Sequence, residues 1–568
     1  MRRGPRIVLA GALLLYVGIS VTAIHWGLPS RQLDPLLFGG APAWSGEKIY
    51  DLAGGDAWSS PTRGADVDAD PLAAAAEPVN LTATDRGVAA IYLRYRLYTC
   101  QPDEMITMRA LGAMRPGRLQ LDPKLYQYGG LFLYPVGALL KLCGLMGLID
   151  VRGDVVYYLD YPDEFGKFYI VARAYAAAWG AVGLLAAYAI ARRLAGAWAG
   201  ALAALLLAVM PVVICMSHEG KPHLPGAALM LLAVLAAMRY VQSGRSRDRV
   251  LLAVACGAAF GMVLSSAPIL VLIPLAERLR RKRPEEALLG TLTGGLMAAG
   301  VYLAANPYIL INAFANPDVL RSNFANSLAM YEVARIGRGL LHVLELTVEG
   351  ASLPIVLAGL IAFAAAVRRK AWNMLPLAVP TAVVLLQFIL LGAGKPAEYG
   401  RFGVFPDAAL AIATACGIAG AWNLRYRRIK PIAGVLIFAW VASSGWPYLA
   451  NFRQDAAWDG RNTRWQAAHT LAMTPSADST RAVWVSAEPA PYGCPPLDFA
   501  HTQVWLSKQA AAGPPPSTGP FVQAYDGPTL LEPPAVAGPG VIDLPGDYSS
   551  PISWANKPFR ILLPPKAP

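Results

Sequence analysis

Charge is scarce in this sequence. Only 15% of the 568 residues are Asp, Glu, Lys or Arg, against 55% hydrophobic ones, where a soluble domain carries about 25% charged residues. That balance excludes an ordinary water-soluble protein and points to a chain that crosses a membrane several times. The short alternating strands of a porin-like barrel are missing as well. Irregular backbone cannot face lipid, so the apolar blocks must be helices. No internal repeat of the kind that marks many secondary transporters is seen. Cysteine is sparse too: there are six, with no Cys-x-x-Cys spacing, and neither a zinc nor a redox centre is indicated. Cys143, Cys215, Cys256 and Cys416 fall in or beside apolar segments, where a thiol serves as a small hydrophobe. Cys100 and Cys494 lie in segments read as external and are the one candidate disulfide pair.

The net charge of +12 does not imply nucleic-acid binding, because the basic residues sit in short linkers between apolar blocks instead of on one soluble face. Topology explains them. "MRRGPR" ahead of "IVLAGALLLYVGISVTAIHWG" has the outline of a signal peptide, but the apolar part is long and lacks a small-x-small cleavage site. We read it as an uncleaved first span with a cytoplasmic N-terminus. A polar external loop runs from 28 to 127, including the low-complexity "GGDAWSSPTRGADVDADPLAAAAEP". The "NLT" at Asn80 fits a glycosylation sequon by chance.

Residues 129–149, with Pro135 and Lys141 inside, are assigned to the outer interface and not to a span. Otherwise every later basic cluster would fall outside. The remaining spans are 168–191, 194–216, 222–241, a short hairpin of 250–264 and 267–276, then 288–310, 351–367, 373–391, 405–422 and 431–449. About eleven spans result. They place "ARRLAG", "RYVQSGRSRDR", "ERLRRKRPEE", "VRRKAW" and "NLRYRRIK" in the cytoplasm, as the positive-inside rule requires. The expected domains are a polytopic α-helical membrane part, 1–449, whose long first external loop is 28–167, and a small extracytoplasmic domain, 450–568. In the latter "NTRWQAAHTLAM" reads as a helix, "AVWVSA" as a strand and "AAAGPPPSTGP" as a loop, which makes it mixed α/β.

On this topology the polar chemistry gathers on the outer face. Asp103 and Glu104 precede the interfacial segment. "YPDEFGKFY", "SHEGKPHLPG", "NPYILINAFANPDVLRSN" and "GKPAEYGRFGVFP" lie on the same side. A second acidic pair, Asp163 and Glu164, is a rival to the first. Cations for an anionic group are Lys124, Arg173, Lys221 and Arg401, with His218 and His223. An Arg grips a phosphate bidentately whereas Lys acts as a point charge. Tyr126 and Tyr128 can stack on a ligand or belong to an interfacial aromatic belt. Each feature also has a plain structural reading: Asp103 as the cap of a helix after Pro102, Arg173 and Arg401 as snorkelling cations, Asp407 as a helix cap, His218 and His223 as parts of a turn.

"QPDEMITMRALG", then "LDPKLYQYGGLFLYP", then Arg173 opening a span that leads into "ARRLAGAWAGALAALLLAVMPVVICMSHEGKPHLPG", resembles the polyprenyl-phosphate-dependent GT-C glycosyltransferases. The closest groups are the protein O-mannosyltransferase family (glycosyltransferase family 39) and the aminoarabinose-type lipid A transferases. The likeness covers the membrane part, including the short hairpin. It implies an inverting transfer of one sugar from a polyprenyl-phosphate donor to an acceptor hydroxyl at the extracytoplasmic face of a bacterial inner membrane. Asp103 is the expected general base and Glu104 its orienting neighbour. Lys124, Tyr128, Arg173, His218, Lys221 and Arg401 are the expected substrate- and phosphate-binding residues. The chain departs from the family at His223, where an acid is common, and at Ser265 and Ser266, which replace a usual Thr-Lys. The acceptor is a lipid, a glycan or a protein. No cofactor is read, no metal ligands are assigned, and a divalent metal is left open. The alternative is a transporter or flippase of a lipid-linked sugar.

Overall fold

The computed structural model describes residues 3–54, 78–281, 283–394, 400–420, 429–474, 481–486, 489–507, 519–524, 540–545 and 552–564. The low-complexity insertion, most of "NLRYRRIK" and most of the "AAAGPPPSTGP" loop lie outside them. Among the described residues seven helices are long and apolar enough to cross a membrane: Arg3–Val21, Pro162–Ala195, His223–Ser243, Pro284–Ala305, Trp372–Gly394, Gly400–Gly420 and Pro431–Ala457. Two broken pairs raise the number to nine: Ala197–Ala208 with Pro211–Ser217, bent by 59°, and Ile336–Ala351 with Leu353–Arg368, bent by 107°.

The sequence accounts for their ends and breaks. Pro162 opens a 34-residue helix with Asp163 and Glu164 in its first turn and Arg192 and Arg193 in its last, each charge opposing the end of the helix dipole it sits on. Gly196, at φ +94°, stops that helix in a conformation open to glycine. Pro211 begins the second half of the first broken pair and cannot donate to the preceding turn. The other pair breaks at Ser352, which takes φ +78° ahead of Pro354.

Against the eleven or so spans expected, seven helices among the described residues, or nine with each broken pair taken as one span, have a span's length and apolarity. The difference is the expected hairpin. Its first arm, Ser246–Met262, has 17 residues, about 25 Å at 1.5 Å per residue, short of a hydrocarbon core of roughly 30 Å. Its second arm is split into a 3₁₀ stretch, Leu264–Val271, with Pro268 inside, and a short helix, Leu272–Arg280. The helix at Gly130–Leu145 has 16 residues and contains Pro135.

The chain forms two compact units. One comprises residues 1–22, 122–136 and 172–449, the other residues 23–121, 137–171 and 450–568. The first holds most of the apolar helices. At its basic end Glu277, 1% exposed, accepts from Arg249 Nε at 2.7 Å, Arg281 Nε at 2.6 Å and the Tyr240 hydroxyl at 2.9 Å. In the second, the loop after the first helix is gathered with the C-terminal region, whereas the sequence reading kept 28–167 with the membrane part.

The second unit's sheet shows why. Its strands are β1 (Val79–Asn80), β2 (Arg481–Val485), β3 (Thr502–Leu506), β4 (Phe521–Ala524), β5 (Val541–Leu544) and β6 (Phe559–Leu562), in the order β1-β3-β2-β4-β6-β5. β1 comes from the loop and pairs antiparallel with β3, while β2 runs parallel to both β3 and β4. The helix Thr463–Met473 and the strand Arg481–Val485 are the elements read from "NTRWQAAHTLAM" and "AVWVSA". Loop residue Tyr95 is fully buried and donates to the Cys494 carbonyl at 2.9 Å. Cys100 and Cys494 are both fully buried and are not joined in a disulfide, and burial pushes the Cys494 thiol up to about 12.

A buried ion pair centres this unit. Arg464 and Asp455, both 0% exposed, meet at 2.9 Å. Arg464 Nε also donates to Pro491 O at 2.6 Å, and Asn462 Nδ2 to Asp455 Oδ1 at 2.8 Å. Removing one partner leaves the other charge buried and uncompensated, which costs about 3–5 kcal/mol. Arg464→Met is therefore expected to open the core. The check is alkylation of Cys100 and Cys494 in detergent-solubilised protein: slow in the wild type, fast in the variant. Equal rates would show that the pair does not hold this core.

Candidate functional site

In the second unit the acidic pair Asp103–Glu104 sits at the start of the helix Glu104–Ala113. Its two members have different surroundings. Glu104 is 0% exposed and accepts from the Thr99 hydroxyl at 2.7 Å, while Asp103 is half-buried. Asp103 occupies the cap position with φ −91° and ψ −13°, yet its side chain makes no capping bond. The cap reading open to it by sequence is not taken. Its backbone N–H donates to Gln101 Oε1 at 2.6 Å, which fixes the turn that presents it.

The rival pair is engaged elsewhere. Asp163 Oδ1 accepts from the Ser30 hydroxyl at 2.7 Å and Oδ2 from the Arg31 N–H at 3.3 Å. Glu164 holds Lys167 Nζ with both oxygens, at 2.7 and 2.8 Å. These carboxylates anchor the start of the loop and the first turn of their own helix.

In the first unit the segment "LDPKLYQYGG" packs along the short hairpin. Gly129 N donates to Met262 O at 3.0 Å and Leu264 N to Gln127 O at 3.0 Å, around a bridge between Tyr128 and Val263. Lys124 is exposed. Tyr128 is buried and meets the His223 ring edge to face at 6.0 Å. The Tyr126 hydroxyl donates to Asp122 at 2.8 Å, and burial, reinforced by that carboxylate, raises its pKa.

The "SHEGKPH" turn is buried throughout. Lys221 and Glu219, 3% and 1% exposed, pair at 3.3 Å. His218 is fully buried with Nδ1 2.8 Å from Ile214 O and Nε2 2.7 Å from Thr22 O, so main chain takes up both ring nitrogens. Burial, and secondarily the charge of Arg173, lower its pKa. Arg173 is 0% exposed within the helix Pro162–Ala195. It is therefore no snorkelling cation, which would keep its head in water.

His223 and Arg401 line one small, partly open pocket. Ser265, Ser266 and Gln387 contribute polar atoms, and Val263, Val384, Val404 and Phe405 line its walls. The Arg401 guanidinium lies over the Phe402 ring at 5.1 Å. Among the described residues Arg401 is the one Arg or Lys side chain in this lining, beside neutral polar and apolar groups. Of the expected residues, Tyr128 reaches this group through His223. His218 and Lys221 belong to the neighbouring turn, and Lys124 stands at the surface.

Sequence reading missed Gln387 and misread Asp407. Gln387 lies inside an apolar run and carries no motif. Asp407 is 1% exposed, and among the described residues neither of its carboxylate oxygens has a hydrogen-bond partner, so it does not cap its helix. Among the described residues no group of three His, Cys, Asp or Glu side chains is placed to hold a metal ion.

Residues 165–320 match the family described as dolichyl-phosphate-mannose-protein mannosyltransferase. No curated protein matches the sequence. Among solved structures, the chain is similar to ArnT from Cupriavidus metallidurans bound to undecaprenyl phosphate, at 14% identity and a TM-score of 0.44, over 98% of this chain and 97% of that one. It is also similar to the Archaeoglobus fulgidus oligosaccharyltransferase in complex with zinc and sulfate, at 13% identity and a TM-score of 0.34, over 81% of this chain and 61% of that one. The chain thus spans less than two thirds of the length of the oligosaccharyltransferase. With both TM-scores below 0.5, neither likeness bears on the site. The family match contains Arg173, the "SHEGKPH" turn and Ser265–Ser266, and it bears out the resemblance of this chain to the polyprenyl-phosphate-dependent GT-C glycosyltransferases.

Proposed function

We propose that this protein is a membrane glycosyltransferase that moves one sugar from a polyprenyl-phosphate donor to an acceptor hydroxyl on the extracytoplasmic face, with inversion. The observation that carries the reading is the family match over residues 165–320. The pocket around Arg401 supports it, since its cation, neutral donors and apolar walls suit a lipid phosphate.

In this mechanism the Asp103 carboxylate takes the proton of the acceptor hydroxyl as that oxygen bonds to the anomeric carbon. The bond from that carbon to the phosphate oxygen breaks, and the lipid phosphate leaves with the electron pair. A base near the nucleophile and fixed cations near the leaving group are what such a step requires. Of the acidic pair, half-buried Asp103 can meet a substrate, whereas Glu104, fully buried on Thr99, supports the turn behind it. Arg401 and Lys124 supply positive charge for the phosphate. Arg173 and the Lys221–Glu219 pair set the field of the buried turn.

The test is sugar release from a panel of labelled polyprenyl-phosphate sugars by purified protein in lipid vesicles. Asp103→Asn is expected to lower turnover by about 100- to 10,000-fold, the usual worth of a general base. Asp163→Asn is expected to keep turnover, because that carboxylate serves Ser30 and Arg31. Loss with Asp163→Asn alone would move the base to the second acidic pair. Labelled lipid crossing the bilayer with no donor consumed would replace the transferase reading with a transporter.

The pocket gives a separate expectation. Arg401→Met removes a charge-assisted contact worth about 1.5–3 kcal/mol, so KM for the donor is expected to rise about 10- to 100-fold. A KM unchanged in steady-state kinetics would place the phosphate elsewhere.

A further inference from the structure

"LDPKLYQYGG" is mostly irregular, yet side chains from one other stretch close much of its main chain. Asn306 Oδ1 accepts from Gly130 N at 2.8 Å. Asn312 Nδ2 donates to Asp122 Oδ2 at 2.7 Å and also reaches the Tyr126 hydroxyl. Asn323 uses both ends of its amide: Oδ1 accepts from Tyr126 N at 3.1 Å, and Nδ2 donates to the Lys124 carbonyl at 3.2 Å. That amide is itself fixed by a bond to Val319 O at 2.9 Å. Asn312 and Asn323 are 5% and 8% exposed, so each is a buried polar group whose hydrogen bonds matter. The stretch that supplies them, "NPYILINAFANPDVLRSN", follows directly on the helix Pro284–Ala305.

Between these fixings lies Lys124, at φ +52°. A long L side chain rarely adopts this left-handed conformation, and it persists where surrounding contacts over-determine it. Those contacts are present on both sides. Asp122 Oδ1 takes the Lys124 N–H at 2.9 Å, and Asn323 takes its carbonyl.

We infer that Asn312 and Asn323 are positioning residues, which lock the backbone of Lys124 in the left-handed conformation and so hold its ammonium for the phosphate of a polyprenyl-linked substrate. The inference rests on the reading of Lys124 as a phosphate-binding cation. A lysine is a point charge on a flexible four-carbon stem, and its effective concentration at a ligand depends on where the root of that stem is held. Without Asn323, two main-chain groups lose their partners. Lys124 is then free to return to negative φ, which swings its Cα–Cβ bond to a new direction. Asn312 acts one step back, by fixing the Asp122 carboxylate that takes the Lys124 N–H.

The experiment measures binding of undecaprenyl phosphate to the full chain in nanodiscs. Wild type, Lys124→Met, Asn323→Ala and the double variant are compared, with melting temperature as a control for folding. Asn323→Ala is expected to weaken binding about tenfold and Lys124→Met at least as much. The double variant is expected to bind no more weakly than Lys124→Met alone, because Asn323 acts through Lys124. A merely structural asparagine would lower the affinity of the Lys124→Met protein further, and that additivity overturns the inference. So does wild-type affinity in Asn323→Ala. If Asn323→Ala does not fold, Asn323→Asp keeps the acceptor for Tyr126 N and loses the donor to Lys124. It must still weaken binding for the inference to stand. Wild-type affinity in Lys124→Met sinks the phosphate role of Lys124 itself, a failure distinct from that of the asparagines.

Discussion

The surroundings of "LDPKLYQYGG" in the first unit depend on the close approach of Gly129 and Gly130 to two other stretches of main chain. A Cβ on Gly129 would fall on the Gly261 carbonyl, and one on Gly130 on the Ala305 carbonyl. Only glycine lets the strand-like segment lie against the hairpin closely enough to form the bonds from Gly129 N to Met262 O and from Leu264 N to Gln127 O. Those bonds set the position of Val263. Ser265 and Ser266 follow it in the chain, while Tyr128 bridges to it and reaches the edge of His223. A third glycine completes the fit, because a Cβ on Gly226 would crowd Val263 and Ser266. The pocket's polar groups are thus placed by backbone contact, which leaves little freedom for them to move independently.

Polar groups in such surroundings are either satisfied or conspicuous. Glu219 with Lys221, Asp455 with Arg464, and Glu277 with its two arginines follow the rule that buried charge is paired. The two "PDE" sequences divide along the same line. At Asp163 and Glu164 every carboxylate oxygen has a partner in the loop start or in the same helix. At Asp103 and Glu104 the buried member has a hydroxyl to bond, and the half-buried member stands at a helix start without capping it.

The membrane character, the helix ends at Pro162 and Gly196, and the helix and strand of the C-terminal region were legible from periodicity, proline, glycine and charge. The short hairpin was legible as two brief apolar stretches, but not the division of its second arm into a 3₁₀ stretch containing Pro268 and a short helix. Pairing of the loop strand Val79–Asn80 with Thr502–Leu506 could not be read, since two residues carry no pattern and their partner lies over 400 positions away. Nor could the difference between the two acidic pairs, which are identical as tripeptides and differ only in their hydrogen bonds. The asparagines of "NPYILINAFANPDVLRSN" were visible as polar residues of a loop read as external. Their targets were not, because a buried amide carries no mark of which carbonyl or N–H it will meet.

In the proposed reading, charge balance in the pocket bears on Ser265 and Ser266, which stand where the family resemblance implies a Thr-Lys pair. A lysine there would add a second cation beside Arg401. Two hydroxyls add hydrogen-bond donors without charge. A polyprenyl-phosphate sugar is a phosphodiester with one negative charge, which a single guanidinium and neutral donors can balance. The departing monoester gains up to one more charge as the bond to the sugar breaks. In the proposed reading that growing charge needs a further cation, and Lys124 is the one whose backbone is braced on both sides. The serines then make the ground state the better-matched one and leave stabilisation of the leaving group to a residue outside the hairpin. Loss of Lys124 should accordingly weigh more heavily on turnover in this chain than in one that keeps the hairpin lysine, because interactions that strengthen only as charge develops are those that raise kcat.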